Sequence, residues 1–342
     1  MLNNGNLLSV AKHINEQFVL SGVDRYSSET GICKADFIAI EPTDFDGDIY
    51  AIDGSNIVVC DWSVVHLNRI RAGYVTYNGR NWQRTVITHD DVFWADPRDY
   101  AEHFDHYLKG FFGLNGITFK ESDLDRLSSY FRELQEYVAL SDAINEAQPG
   151  DLILYDGAFD IFEPLRDVLK QILRSAEEKR VDLIGISKSS SLSWGNKISL
   201  PFVKHTSFVG SQLMPNVPWY LSLQNKNVDC GPGKWDGETF VVRFDGQSSH
   251  AFRVDVPSYI SDRISAIMGK LAAYSCSAEC LGYPHALFRV HRDIRITKDE
   301  GHFLQLKLMN LLGEMGVKES KIMMLMEDYH DVLEMRHGDM EA

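Results

Sequence analysis

The chain has 342 residues, with 34 Lys+Arg against 49 Asp+Glu, and a formal net charge of −15. That length supplies a sizeable core and fits one large domain or two smaller ones. The acidity excludes a protein that coats nucleic acid by bulk attraction, but not an enzyme that handles DNA in a local channel. No apolar run approaches the length of a membrane span, and the N-terminal MLNNGNLLSVAKH lacks the pattern of a secretory signal. The cysteines are odd in number and scattered (Cys33, Cys60, Cys230, Cys276, Cys280), which suits a reduced, cytoplasmic protein. A lone C-x3-C makes a weak zinc site, so Cys276 and Cys280 read as small residues on one helical face.

Residues 5–20 space Leu7, Leu8, Ala11, Ile14 and Phe18 as a short helix. Residues 49–53, 64–77 and 84–94 are rich in β-branched and aromatic residues, with turn material at 53–56 and 77–81. Asn78-Gly79 between two such runs signals a hairpin, so this region is a three-stranded antiparallel meander. Helical period returns over 121–147, with Ser122 as N-cap and an apolar stripe from Leu124 to Ile144, and Gln148-Pro-Gly ends it. A buried strand follows at 151–157, an amphipathic helix at 160–180 with Pro164 in its first turn, and a second buried strand at 181–189. Helices alternating with apolar strands imply a parallel portion of sheet. Residues 190–260 read as β-rich, with a hairpin from 240–246 and 250–256. Helices are expected at 258–282, at 285–296 after the Tyr283-Pro284 break, and from 299 onward.

This order defines an α/β chain with a ribonuclease H-like mixed sheet: three antiparallel strands, then parallel strands, flanked by helices. The expected organisation is a single domain over 1–342, with its core at about 45–190 plus 258–300. A β-rich insertion occupies about 191–257, and a helical C-terminal tail 299–342.

Of the Asp-Gly pairs, those at 46, 236 and 245 lie in turn-like surroundings. Asp53 and Asp156 instead close the apolar runs IYAID and LILYD. Burying an aspartate there is costly unless it is paired or binds a cation. If the first and fourth strands lie side by side, the two carboxylates meet, and such a pair suits a hard divalent metal. Glu133 and Glu136 sit on the intervening helix, and periodicity alone leaves each as a solvated glutamate or as a third acid for this site. His291 lies among Arg289, Arg292 and Arg295, where a structural histidine and one that contacts phosphate or metal are both open. Lys188, just past LIGIS, reads as a surface lysine or as a cation for the scissile phosphate.

Ordered blocks across residues 45–300 resemble the NurA nuclease family, whose members resect DNA ends with the HerA translocase. They are AIDGS (51–55), Arg132-x3-Glu136, LILYDGAF (152–159), LIGISKSS (183–190), FRVDVP (252–257) and GYPHALFRVH (282–291). The resemblance implies a ribonuclease H-like core and a Mn2+-dependent deoxyribonuclease. It further implies a homodimer with a central channel and docking onto a HerA-like hexameric ATPase. Matched position by position, Asp53, Glu136, Asp156 and His291 are the metal-binding catalytic set, Glu133 is the alternative helix ligand, and Lys188 matches the catalytic lysine. Departures from the family pattern are Ala158 after Asp156-Gly157, and Val290 before His291.

Such a set would hold two divalent ions, with Mg2+ as an alternative to Mn2+. Two ions about 3.5–4 Å apart can activate water and stabilise a leaving oxygen, and an imidazole ligand shifts preference toward Mn2+. Lys188, Arg289, Arg292 and Arg295 are the expected DNA contacts, to single- or double-stranded ends. No Walker-type phosphate loop is present in the sequence, so processive work on duplex would need an external motor. Met323, Met324, Met326 and Met335 in the tail suit either docking or plain helix packing. The rival readings are another ribonuclease H-like nuclease of resolvase or Argonaute type, a non-catalytic assembly subunit and, last, a dinucleotide enzyme. Most of the acid excess falls in 41–53, 90–108 and 321–342, away from the basic segment around His291.

Overall fold

A computed structural model describes residues 4–20, 22–62, 65–159, 163–195, 200–229, 235 and 237–326. The strands are β1 (Ile38–Ala39), β2 (Asp48–Asp61), β3 (His66–Asn78), β4 (Asn81–Ala95), β5 (Leu152–Tyr155), β6 (Asp182–Ser187), β7 (Ser193–Trp194), β8 (Leu200–Pro201), β9 (Trp219–Ser222), β10 (Gly237–Arg243) and β11 (Phe252–Pro257). The α-helices are α1 (Asn4–Leu20), α2 (Val23–Thr30), α3 (Tyr100–Tyr107), α4 (Leu127–Glu146), α5 (Arg166–Lys179), α6 (Phe202–Leu213), α7 (Ile264–Ala273), α8 (His285–Ile294), α9 (Lys298–Glu314) and α10 (Glu319–Met326). Nine strands form one sheet in the order β1-β9-β10-β11-β6-β5-β2-β3-β4, and β7 pairs with β8.

The chain divides into two compact units, and β2, β3, β4, α4 and α8 each contribute residues to both. The first comprises 1–52, 75–84 and 142–290. Its centre is β5, whose four residues are buried because parallel strands flank it on both sides. Leu152, Ile153 and Leu154 are each at most 1% exposed, and burial of such side chains stabilises by about 1.5–3 kcal/mol apiece. The amphipathic α5 buries Val168, Leu169, Ile172 and Ala176 and stops at Arg180, which takes a left-handed conformation (φ 61°). Antiparallel pairing of β11 with β6, β10 with β11 and β9 with β10 then extends the sheet. A second cluster in this unit gathers Tyr26, Trp194, Phe202 and Trp219 around α2 and α6.

The second unit comprises 53–74, 85–141 and 291–342. Aromatic packing dominates it: Phe93 stacks on Phe131 at 4.2 Å, and Phe104 meets Phe131 edge-on at 5.2 Å. Thr297 and Glu300 form a reciprocal cap that starts α9.

The expected order of three strands, helix, strand, helix, strand is present as β2–β4, α4, β5, α5 and β6. Several local expectations are corrected. Residues 53–56 are not a turn: β2 runs on to Asp61, carried by the β-branched Ile57-Val58-Val59, so Asp53 lies within a strand. Ser122 is not an N-cap, since α4 is preceded by a 3-10 turn over Glu121–Arg126 and the Ser122 hydroxyl turns to Asp123. The helix expected over 258–282 is α7, which ends at Ala273. Cys276 and Cys280 therefore follow that helix in turns rather than sharing a helical face. Cys33, Cys60, Cys276 and Cys280 are all free thiols. Helices α2, α3 and α6 were not anticipated. Met323, Met324 and Met326 belong to α10, but their side chains lie outside the described residues, as do Met335, Asp236 and Cys230.

Candidate metal-binding active site

Strands β2 and β5 run parallel in the register Ile52↔Tyr155, and Asp156 N–H donates to the Ile52 carbonyl at 3.0 Å. The next residue along the chain is an aspartate in both cases, Asp53 and Asp156. This is the juxtaposition expected if the first and fourth strands were neighbours. One ligand atom each from Asp53, Asp156 and His291 lie within 4.8 Å of one another. Two carboxylate oxygens and an imidazole nitrogen are a donor set that suits a divalent cation.

Asp53 is 7% exposed. Its Oδ1 accepts from Gly54 N–H at 2.8 Å, and its Oδ2 from His291 Nδ1–H at 2.9 Å. That bond orients the imidazole, whose side chain is 52% exposed.

Glu136 is buried at 1% exposure and pairs with Arg132 one helical turn earlier on α4. It is not one of the three clustered residues; it reaches β2 at Gly54. A Cβ on Gly54 would stand 2.4 Å from Glu136 Oε1, so the missing side chain is what admits the carboxylate. Glu133, the alternative, is half-buried and accepts from Tyr137 O–H at 2.7 Å on its own helix.

Asp156, in the turn after β5, has a side chain 4% exposed. Lys188 Nζ lies 2.6 Å from its Oδ2, and Tyr283 O–H donates to its Oδ1 at 3.1 Å. The same Lys188 ammonium sits 5.6 Å above the Tyr283 ring. Each of the three acids therefore has a basic partner, which offsets the cost of removing its charge from water.

The turn carrying Asp156 is fixed from below. Asp255 Oδ2 accepts from Phe159 N–H at 2.9 Å, while its Oδ1 accepts from Arg253 Nε at 3.0 Å and from Thr239 O–H at 2.9 Å. Burial pushes the Asp255 carboxyl up, and Arg253 opposes that shift. Gly185 leaves room for this turn, since a Cβ there would meet the Gly157 carbonyl at 2.9 Å. Tyr283 and Arg132 lie within GYPHALFRVH and Arg132-x3-Glu136, and their spacing to His291 and Glu136 is the sequence signal for these contacts.

The three arginines do not form one patch around His291. Arg292 and Arg295 are exposed. Arg289, two residues before His291, is rotated from it by about 200° around α8, and its guanidinium lies 4.8 Å from the Trp82 ring centroid.

The family model of the NurA domain matches residues 47–194. No curated protein matches the chain. The NurA nuclease from Sulfolobus solfataricus is similar in structure, with a TM-score of 0.58 at 15% identity, over 93% of this chain and 99% of that one. Another NurA structure gives 0.49 at 12% identity, over 95% and 100%. The catalytic domain of human endonuclease V gives 0.34 at 12% identity, over 92% and 99%; these last two scores establish no shared fold by themselves. The mixed sheet, with its paired aspartates, has a ribonuclease H-like arrangement, and the likeness to the Sulfolobus structure is one of fold. Within that fold, residues 47–194 match the NurA domain, the family that the ordered motifs resemble.

Proposed function

We propose that the protein is a divalent-metal-dependent deoxyribonuclease that hydrolyses phosphodiester bonds at DNA ends. The observation that carries this reading is the cluster of Asp53, Asp156 and His291. Asp53, Glu136, Asp156 and His291 would hold the metal, with Mn2+ preferred because one donor is an imidazole. Bound there, divalent ions supply an activated water and neutralise the leaving oxygen. Asp53 orients His291 through the Nδ1 hydrogen bond. Tyr283 orients Asp156, and Lys188 is placed to exchange its carboxylate partner for a phosphate oxygen. Arg292 and Arg295 hold the backbone without reading sequence.

In the same reading the chain acts as a homodimer in the cytoplasm with a HerA-like hexameric ATPase. Its setting would be repair or defence against foreign DNA. No helix of the described residues is long and apolar enough to cross a membrane. The test is cleavage of end-labelled linear DNA with Mn2+ or Mg2+, together with calorimetry of Mn2+ binding. Wild-type protein should cut and bind metal, and Asp53→Asn should do neither. An Asp53→Asn variant that cuts as fast as wild type removes this site from the chemistry.

A further inference from the structure

Trp82 stands at the start of β4, two residues beyond the Gly79-Arg80 turn, and 46% of it is exposed. Its neighbours Asn81, Gln83 and Arg84 are exposed as well. β4 ends the strand order, so no further strand of the sheet covers it. An indole half in water loses the burial that usually justifies a tryptophan. Here it is also set against a cation, with the Arg289 guanidinium 4.8 Å from the ring centroid.

Arg289 is carried by α8, the helix that also presents His291 and Arg292, with Arg295 just beyond its end. Those three residues are exposed. From Arg289 to Arg295 the helix rises by about 9 Å, the length of two or three nucleotides at about 3.4 Å each. An exposed aromatic ring, an arginine against it and a short exposed basic track are the components of a single-strand binding platform. A base stacks on the ring, and the guanidinium and following arginines take the phosphates.

We propose that Trp82 and Arg289 form a stacking platform for an unpaired base, which holds a single DNA strand along α8. The proposal rests on the nuclease reading only for the identity of the nucleic acid. It predicts selectivity of a definite kind. A base within a duplex offers no free face to Trp82, so the platform acts on single strands and frayed ends and not on a blunt duplex interior.

The experiment measures binding of labelled oligo-dT and of a blunt hairpin duplex by fluorescence anisotropy, in EDTA so that no cutting occurs. Trp82→Ala should weaken oligo-dT binding about tenfold, the scale of one base–aromatic stack, and leave the duplex unaffected. Trp82→Phe, which keeps a π-face, should recover most of the loss. Arg289→Gln should lower the slope of log K against log[salt] by about 0.7, one phosphate contact on a single strand. A 5-iododeoxyuridine oligonucleotide should photocrosslink to the peptide containing Trp82.

Three results overturn the proposal: Trp82→Ala binding oligo-dT like wild type, equal losses for single strand and duplex, or wild-type protein that binds no single strand. The two readings fail separately. If wild-type protein cuts no DNA with any metal but Trp82→Ala still loses oligo-dT, the platform stands without the nuclease. If it cuts and Trp82→Ala binds as wild type, the nuclease stands without the platform.

Discussion

Gly54→Ala isolates the geometry on which the site depends. The glycine does not have a positive φ, so a methyl group imposes no backbone strain of that kind and acts only through the space it takes. Its Cβ would stand 2.4 Å from Glu136 Oε1, 2.8 Å from Cγ and 3.0 Å from Cδ. Carbon–oxygen contacts settle at about 3.3 Å or more, so the carboxylate retreats by roughly 1 Å. Glu136 is buried and held by Arg132, so the retreat disturbs that pair and costs about 1–3 kcal/mol of overpacking. In the proposed role of Glu136 as a metal ligand, a displacement of that size costs about 100-fold in rate. The assay is Mn2+-dependent cleavage of linear DNA alongside thermal unfolding. We expect a fall of about 100-fold in kcat with a Tm lowered by only a few degrees. Glu136→Asp shortens the side chain and makes room, so Gly54→Ala/Glu136→Asp should be no slower than Glu136→Asp alone, a non-additivity that marks direct contact. Gly54→Ala cleaving at the wild-type rate, or simple additivity in the double variant, refutes the argument.

Three further outcomes are expected. Tyr283→Phe deletes the donor to Asp156 Oδ1 while keeping the ring beneath Lys188, and should lower kcat by about tenfold, the scale of one hydrogen bond to a charged group, with little change in stability. Asp255→Ala leaves Arg253 buried without its carboxylate partner, and should destabilise by about 3–5 kcal/mol, read as a lower urea midpoint; Arg253→Met/Asp255→Leu should recover much of that loss. Glu300 is held down to about 2, chiefly by its hydrogen bond from the Thr297 backbone and further by Arg71. A depressed carboxyl stabilises the fold above its unfolded pKa and loses that contribution as pH falls through the folded one. Wild type should therefore exceed Glu300→Gln in stability at pH 7, with the gap closing between about pH 4.5 and pH 2; a gap that is constant across that window contradicts the assignment.

How far the sequence alone reached can be judged residue by residue. The buried strands around Asp53 and Asp156 were legible because an apolar run ending in an aspartate is costly, and nearby turns alone did not explain it. The order of strands and helices followed from periodicity, and the resemblance to a family from six ordered motifs. The residues near Glu136 show where this stops. Helical period could not separate it from Glu133, since the two lie three residues apart with similar neighbours. In the structure their contacts differ: Gly54 admits Glu136 against β2, and Tyr137 donates to Glu133. Likewise a count of basic residues grouped Arg289 with Arg292 and Arg295 around His291, whereas the pitch of α8 turns Arg289 away to Trp82.

The sequence determined which residues carry charge, which runs must be buried, and in what order the elements come, because these depend on local chemistry. Tertiary structure decided the continuation of β2 through Asp53-Gly54, the partner of each acid, and the placement of Asp255 beneath the Asp156 turn. Those are contacts between segments tens to hundreds of residues apart, and packing, not local propensity, selects among them.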